Sequence, residues 1–148
     1  MKRLWFYPII AVVFILNTAS MCSDDDDDNS SGPSVSDVQQ TVTSGTWRVT
    51  SFIEDDVDHT SYFTDFAFTF ASSGVLTAVR NDTTHTGAWS VTDDDSSGPD
   101  FNIMFTAPSN FEEISEDWDI LERTSTKLRL RHVSGGDGSI DLLTFQKN

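Results

Sequence analysis

Hydrophobic and polar residues alternate in eight short runs between residues 45 and 148, and no segment there sustains a 3.6-residue period. The runs are Thr46–Ile53, Asp65–Phe70, Val75–Asn81, His85–Thr92, Asp100–Thr106, Trp118–Arg123, Lys127–Val133 and Ile140–Gln146. A strand sends successive side chains to opposite faces, so period-two alternation marks a strand with one buried and one wet face. Phe66, Phe68 and Phe70 share a face against Ala67 and Thr69. Phe101, Ile103 and Phe105 oppose Asn102 and Thr106, while Leu128 and Leu130 oppose Lys127, Arg129 and Arg131. The full inward set adds Trp47, Val49, Val75, Val79, Trp89, Val91, Trp118, Ile120 and Leu142.

The links between runs suit hairpins. Ala71-Ser72-Ser73-Gly74 ends in a glycine suited to a left-handed turn position, Thr124-Ser125-Thr126 is short, and Gly135-Gly136-Asp137-Gly138 joins the last two runs. Asp93 to Pro99 is a longer polar loop. A single helical turn is expected at Ser109 to Ser115, where Phe111 and Ile114 fall on one face. Eight sequential antiparallel strands close most simply into an all-β up-and-down barrel, because closure removes exposed edges. A two-sheet sandwich is the alternative.

The N-terminus has a different texture. Lys2 and Arg3 precede an apolar run from Leu4 to Leu16, broken by Pro8. That length suits the apolar region of a secretory signal and falls short of the ~20 residues that span a bilayer. Cys22, the only cysteine, follows, and then come Ser23 and the aspartates Asp24, Asp25, Asp26, Asp27 and Asp28. Residues 1–21 are therefore read as a signal peptide, 22–44 as an acidic, Ser-rich disordered tether, and 45–148 as the barrel domain. An exported chain with one cysteine has a thiol left over, and lipidation accounts for it. A transmembrane anchor is the competing reading of the apolar run.

Charge narrows the partners. The chain carries 9 basic and 24 acidic residues, a net −15. Loss of residues 1–21 removes Lys2 and Arg3 and no acid, leaving −17. Nucleic acid is then a poor partner, since phosphates need basic clusters. The aspartate run is a solvated tail, not a calcium loop, which alternates its ligands about a glycine turn. Asp55, Asp56 and Asp58, like Asp93 to Asp95, are read as polar loops over loose calcium sites.

Four resemblances follow from these residues. Ala19-Ser20-Met21-Cys22 resembles a bacterial lipobox, though leucine is usual where Ala19 stands and a small residue where Met21 stands. Cleavage near Ser20 by an ordinary signal peptidase is the alternative. Cys22-Ser23 followed by aspartates looks like the export signal of Bacteroidota surface lipoproteins. The resemblance implies a lipid on Cys22 and display on the outer face of the outer membrane. The ordered set Gly45-Thr46-Trp47, Phe66-x-Phe-x-Phe, Gly74, Gly87-Ala88-Trp89-Ser90-Val91 and Asp117-Trp118 is similar to small lipocalin-like domains of such lipoproteins. It implies that Gly45 and Trp47 close one barrel end and that a small hydrophobic ligand is a candidate cargo. The chain is shorter than a typical lipocalin and has no clear C-terminal helix. Asp82-Thr83-Thr84 resembles the Bacteroidota O-glycosylation acceptor, with Thr83 as the site.

Chemistry is sparse. There is no Gly-x-Ser-x-Gly, His-Glu-x-x-His or phosphate-binding glycine loop. His59, His85 and His132 are scattered, and no pair has metal-ligand spacing. Glu112, Glu113, Glu116, Asp117 and Asp119 read as solvated surface, although paired acids can cleave glycosides. No catalytic residue, metal or cofactor is expected. The expected function is a monomeric, non-enzymatic binding or accessory module on the cell surface, recognising a protein or glycan. A carrier of a small hydrophobic ligand is the first alternative and a small hydrolase the second. The crowded inward set favours a filled interior; any pocket belongs at the mouth furthest from Trp47. Acids or histidines converging in a cleft would favour the hydrolase.

Overall fold

Alternation builds the strands where the pattern places them. The structure, a computed structural model, describes residues 32–148. Its elements are α1 (Val35–Val42), β1 (Trp47–Glu54), β2 (Val57–Asp58), a 3-10 turn (Thr60–Phe63), β3 (Ala67–Phe70), β4 (Val75–Arg80) and β5 (Thr83–Thr92). They continue with β6 (Asp100–Met104), the single helical turn α2 (Ser109–Glu112), β7 (Asp117–Arg123), β8 (Lys127–Val133) and β9 (Ile140–Lys147). Each strand from β3 to β8 pairs antiparallel with the next, and β1 pairs with β9 from Trp47↔Lys147 to Ile53↔Leu142. Eight strands thus close on themselves, and the sandwich alternative is ruled out. The two-residue β2 only extends β1 through Ile53↔Asp58 and Glu54↔Val57.

Closure is tightest at the end that holds Trp47. There β1 and β3 meet through the one pair Trp47↔Phe68. Above it the two strands splay, and the 3-10 turn fills the gap with buried Phe63, which packs edge-on against Phe52, Phe68 and Phe111. Chain direction sets the two ends. α1, the Ala71–Gly74 turn, the 93–99 loop and the 124–126 turn gather at the Trp47 end. The β1–β2 turn, α2 and the 134–139 loop gather at the opposite, upper end.

The interior is a continuous cluster of buried side chains. Phe68 of β3 meets Phe145 of β9 at 5.3 Å between centroids, and Phe70 meets Phe101 of β6 and Phe145 at 5.5 and 5.6 Å. Rings from non-adjacent strands therefore touch across the barrel, as expected where eight strands leave a space that side chains can just fill.

Two strands turn the other face inward. On β4, Leu76 and Ala78 are buried while Val75 and Val79 are 41% and 40% exposed. On β9, Leu143 and Phe145 are buried in place of Leu142. Both strands have apolar residues on both faces, so alternation alone leaves their parity open. The partners settle it: Phe70↔Leu76 and Leu128↔Phe145 are register pairs, and opposed residues share a face. A bulge at Thr50 also shifts β1, so Trp47 and Val49 point inward before it and Phe52 after it.

The 22–44 segment differs from the expected disordered tether in its second half. Residues Val35–Val42 form α1, opened by a capping box in which Ser34 and Asp37 each accept the other's backbone N–H. Val38 and Val42, one turn apart, are fully buried beneath the lower end. Their tertiary contacts offset the ordering cost that an eight-residue helix cannot meet alone.

Candidate functional site

Cys22, Ser23 and Asp24 to Asp28 lie outside the described residues. Gly45 and Trp47 lie at the lower end. Gly45 has φ +83°, a left-handed value that turns the chain from α1 into β1. Trp47 is fully buried, and its indole N–H donates to Val42 O at 2.9 Å. Lys147 lies over its ring with the ammonium 5.0 Å from the centroid. Trp89 and Trp118 donate likewise to Ala71 O and Ile114 O. Each buried indole thus has its partner, so among the described residues no tryptophan donor is aimed at a ligand.

The upper mouth is covered by aromatic rings. Phe111 of α2 sits 5.0 to 6.0 Å from Phe63, Phe66, Phe68 and Phe105, and 4.7 Å from His85. Gly87 makes this cover possible: a Cβ there would collide with Met104 O and the Phe105 ring. A cleft of about 880 Å³ lies between the α1 N-terminus and the 93–99 loop, outside the barrel. Another, of about 410 Å³, runs along the outer face of β5 and β6 to Glu116 and Asp117.

Above the rings, the core-facing positions turn ionisable. On β8 the inward series Leu128, Leu130 continues to His132. On β9, Phe145 and Leu143 lead to Asp141; Trp118 of β7 leads back to Glu116, just before the strand; on β1, Phe52 leads to Glu54. His132 and Asp141 are directly opposed in register. The His132 ring is T-shaped to Trp118 at 6.0 Å. Its Nδ1 is 3.5 Å from Asp141 Oδ2, and its Nε2 is 3.7 Å from Glu116 Oε2 and 3.8 Å from Asp117 Oδ1. Asp141 Oδ1 also accepts the Asp55 N–H, tying in the β1–β2 turn. On the adjoining β1, Glu54 Oε2 is 3.8 Å from His59 Nε2. Burial, with the negative charges of Glu113 and Asp141, raises the Glu54 pKa above its ordinary value; His59 opposes this in part. Glu113 Oε2 is buried without a hydrogen-bond partner.

So the structure brings acids and histidines together where sequence spacing shows no pairing. Glu113, Glu116 and Asp117 belong to this rim. Asp119 instead pairs with Arg131 at 2.7 Å on the outer face, and His85 stands apart against Phe66 and Phe111. Glu54 and Asp141 were not singled out, yet a signal for both exists: each continues its strand's inward parity one step past the last large apolar residue. The Asp55–Asp56 turn has positive φ at both residues, and Asp58 accepts the Thr60 N–H. Hydrogen bonds from the Thr60 side chain and backbone hold the Asp58 carboxyl below its usual range, and those from Ser97 do the same for Asp95. These aspartates cap their own turns. Thr83 and Thr84 are exposed at the head of β5.

The fold and rim define an all-β closed antiparallel barrel with a packed interior and an ionisable upper end. No protein-family model and no curated protein sequence matches the chain. Among solved structures, the chain is similar to a DUF4847 family protein from Bacteroides vulgatus at 19% identity and a TM-score of 0.49. The match covers 75% of this chain and 97% of that one.

Proposed function

We propose that this chain is a lipoprotein, attached to the outer membrane through Cys22 and displayed on the cell surface, whose barrel is a non-enzymatic binding or accessory module. It engages a protein or glycan through its ends and outer face. The observation that carries this reading is the filled interior: rings meet across the barrel, α1 and Trp47 close one end, and Phe63 and Phe111 close the other. A carrier of apolar cargo needs the volume these side chains occupy. The address rests on the sole cysteine beside an acidic run after a signal-length apolar segment.

Titrating residues 22–148 carrying Cys22→Ala with an environment-sensitive fatty-acid probe should give no saturable nanomolar binding. Stoichiometric nanomolar binding with tryptophan quenching would show a carrier instead. In cells fed a clickable fatty acid, the parent should be labelled and Cys22→Ala should not. Changing Asp24 to Asp28 to alanine should keep the label and reduce cleavage by external protease. Equal labelling of parent and Cys22→Ala ends the anchor proposal, and unchanged protease access ends the display proposal.

A further inference from the structure

The upper rim holds an arrangement that core packing does not require. His132 is an inward-facing histidine at the top of β8, its side chain 19% exposed. Its Nδ1 faces Asp141, whose side chain is 11% exposed. Its Nε2 faces two carboxylates that come from consecutive residues, Glu116 and Asp117, at the mouth of β7. One ligand atom from each of Glu116, Asp117 and His132 lies within 4.8 Å of the other two. We propose that Glu116, Asp117 and His132 form a binding site for a divalent cation of the zinc class.

The imidazole–carboxylate spacings are close to those around a bound zinc, and the two carboxylate oxygens lie within 4.8 Å of each other. Ligand atoms about 2.0–2.2 Å from a tetrahedral zinc are roughly 3.3–3.6 Å apart. The two Nε2–oxygen separations, 3.7 and 3.8 Å, need to close by only a few tenths of an ångström. The donor set, one imidazole with two carboxylates, is that of a borderline metal and not of calcium, which takes oxygen alone. Asp141 has the position of an outer carboxylate that orients a ligating imidazole. It engages Nδ1 and is itself fixed by the Asp55 N–H, so Nε2 is aimed at the two acids.

Charge supplies an independent reason. Five of the carboxylates at this end gather around His132 and Glu54: Glu113, Glu116, Asp117, Asp141 and Glu54 itself. Among the described residues none of them has a lysine or arginine within ion-pair distance, whereas the outer acids Asp119 and Glu122 do. Glu113 Oε2 is buried without any partner. Among the described residues, the cationic partners within 4 Å of these acids are the imidazoles of His59 and His132. A bound dication would offset this concentration of negative charge. Three protein ligands leave a coordination position free. Glu116 and Asp117 also line the outer cleft that runs past Met104, which gives the site access to solvent.

The test uses the full chain purified in detergent and stripped with chelator, with Zn²⁺ alone as the probe, in competition with a chromogenic chelator at pH 7.5. The parent should bind one Zn²⁺ with micromolar or tighter affinity and melt at higher temperature when it is present. Asp117→Asn, whose side chain is 73% exposed and so dispensable for packing, should fold like the parent and lose at least tenfold in affinity. Glu116→Gln should lose as much and His132→Ala more, while Asp56→Asn, an acid on the β1–β2 turn, should change nothing. Absence of stoichiometric binding by the parent would overturn the proposal. So would affinity unchanged in Asp117→Asn, which would place the metal at Cys22, the aspartate run or elsewhere.

Discussion

Truncating Trp47 should cost more than removing its ring area alone. The residue is fully buried between β1, α1 and Lys147, and its indole N–H is the partner of Val42 O. Trp47→Ala removes the ring and leaves a cavity, typically about 3–5 kcal/mol. It also leaves a buried carbonyl without its donor, about 1–3 kcal/mol more. Val38 and Val42 lose the surface they rest on, so α1 should detach with it. The total approaches the roughly 5–15 kcal/mol that holds a small domain together. Trp47→Phe separates the contributions: most of the area stays and the hydrogen bond goes, for a loss of about 1–3 kcal/mol. At about 4–8 °C per kcal/mol for a domain of this size, Trp47→Phe should melt some 5–20 °C below the parent. Trp47→Ala should be largely unfolded near 37 °C. Urea and thermal unfolding followed by circular dichroism measure both. If Trp47→Ala melts within a few degrees of the parent, Trp47 does not close the barrel. If the two variants lose equal stability, the hydrogen bond to α1, and not ring volume, dominates the site.

Gly87→Ala should destabilise by about 1–3 kcal/mol, because the new methyl meets the Met104 carbonyl and the Phe105 ring and β6 must shift; a melting temperature equal to the parent's would refute that contact. Glu54 has a pKa raised by burial and by its acidic neighbours, so the folded state holds its proton more firmly than the unfolded chain does. Its contribution to stability is full below the ordinary value of 4.5 and is lost as pH rises through the raised value. Glu54→Gln should therefore be more stable than the parent at pH 7, with the difference shrinking toward pH 4. Urea midpoints at both pH values test this, and a variant less stable at pH 7 contradicts it.

Much of the fold was legible because alternation is a local property. Phe66-x-Phe-x-Phe and Leu128-x-Leu130 each have one face that is apolar and one that is not, so strand, face and extent follow from the residues. Turn chemistry then links neighbours, and eight neighbours close. The helical turn at Ser109 was legible too, through Phe111 and Ile114, both buried. Where both faces are apolar, as in Val75-Leu76 and Leu142-Leu143, a one-residue choice decides everything. Only the cross-strand partners Phe70 and Leu128 make it. α1 shows the same limit. Ser34-x-x-Asp37 is a start signal within a polar stretch, but an eight-residue segment with two core-facing valines, Val38 and Val42, becomes a helix only with a barrel end to cover.

The rim was the least legible part, for a physical reason. Glu54, Glu116, His132 and Asp141 are far apart in sequence, and spacing rules detect ligands only when one element carries several. Parity brings each to the mouth, and closure of the barrel brings the four strands together. The sequence by itself determined the strand set, the turns, the acidic balance and the sole cysteine, all properties of neighbours along the chain. Tertiary structure decided which faces point inward on β4 and β9, whether the interior is full, and which charges meet at its end. Those depend on contacts between residues that only barrel closure makes neighbours.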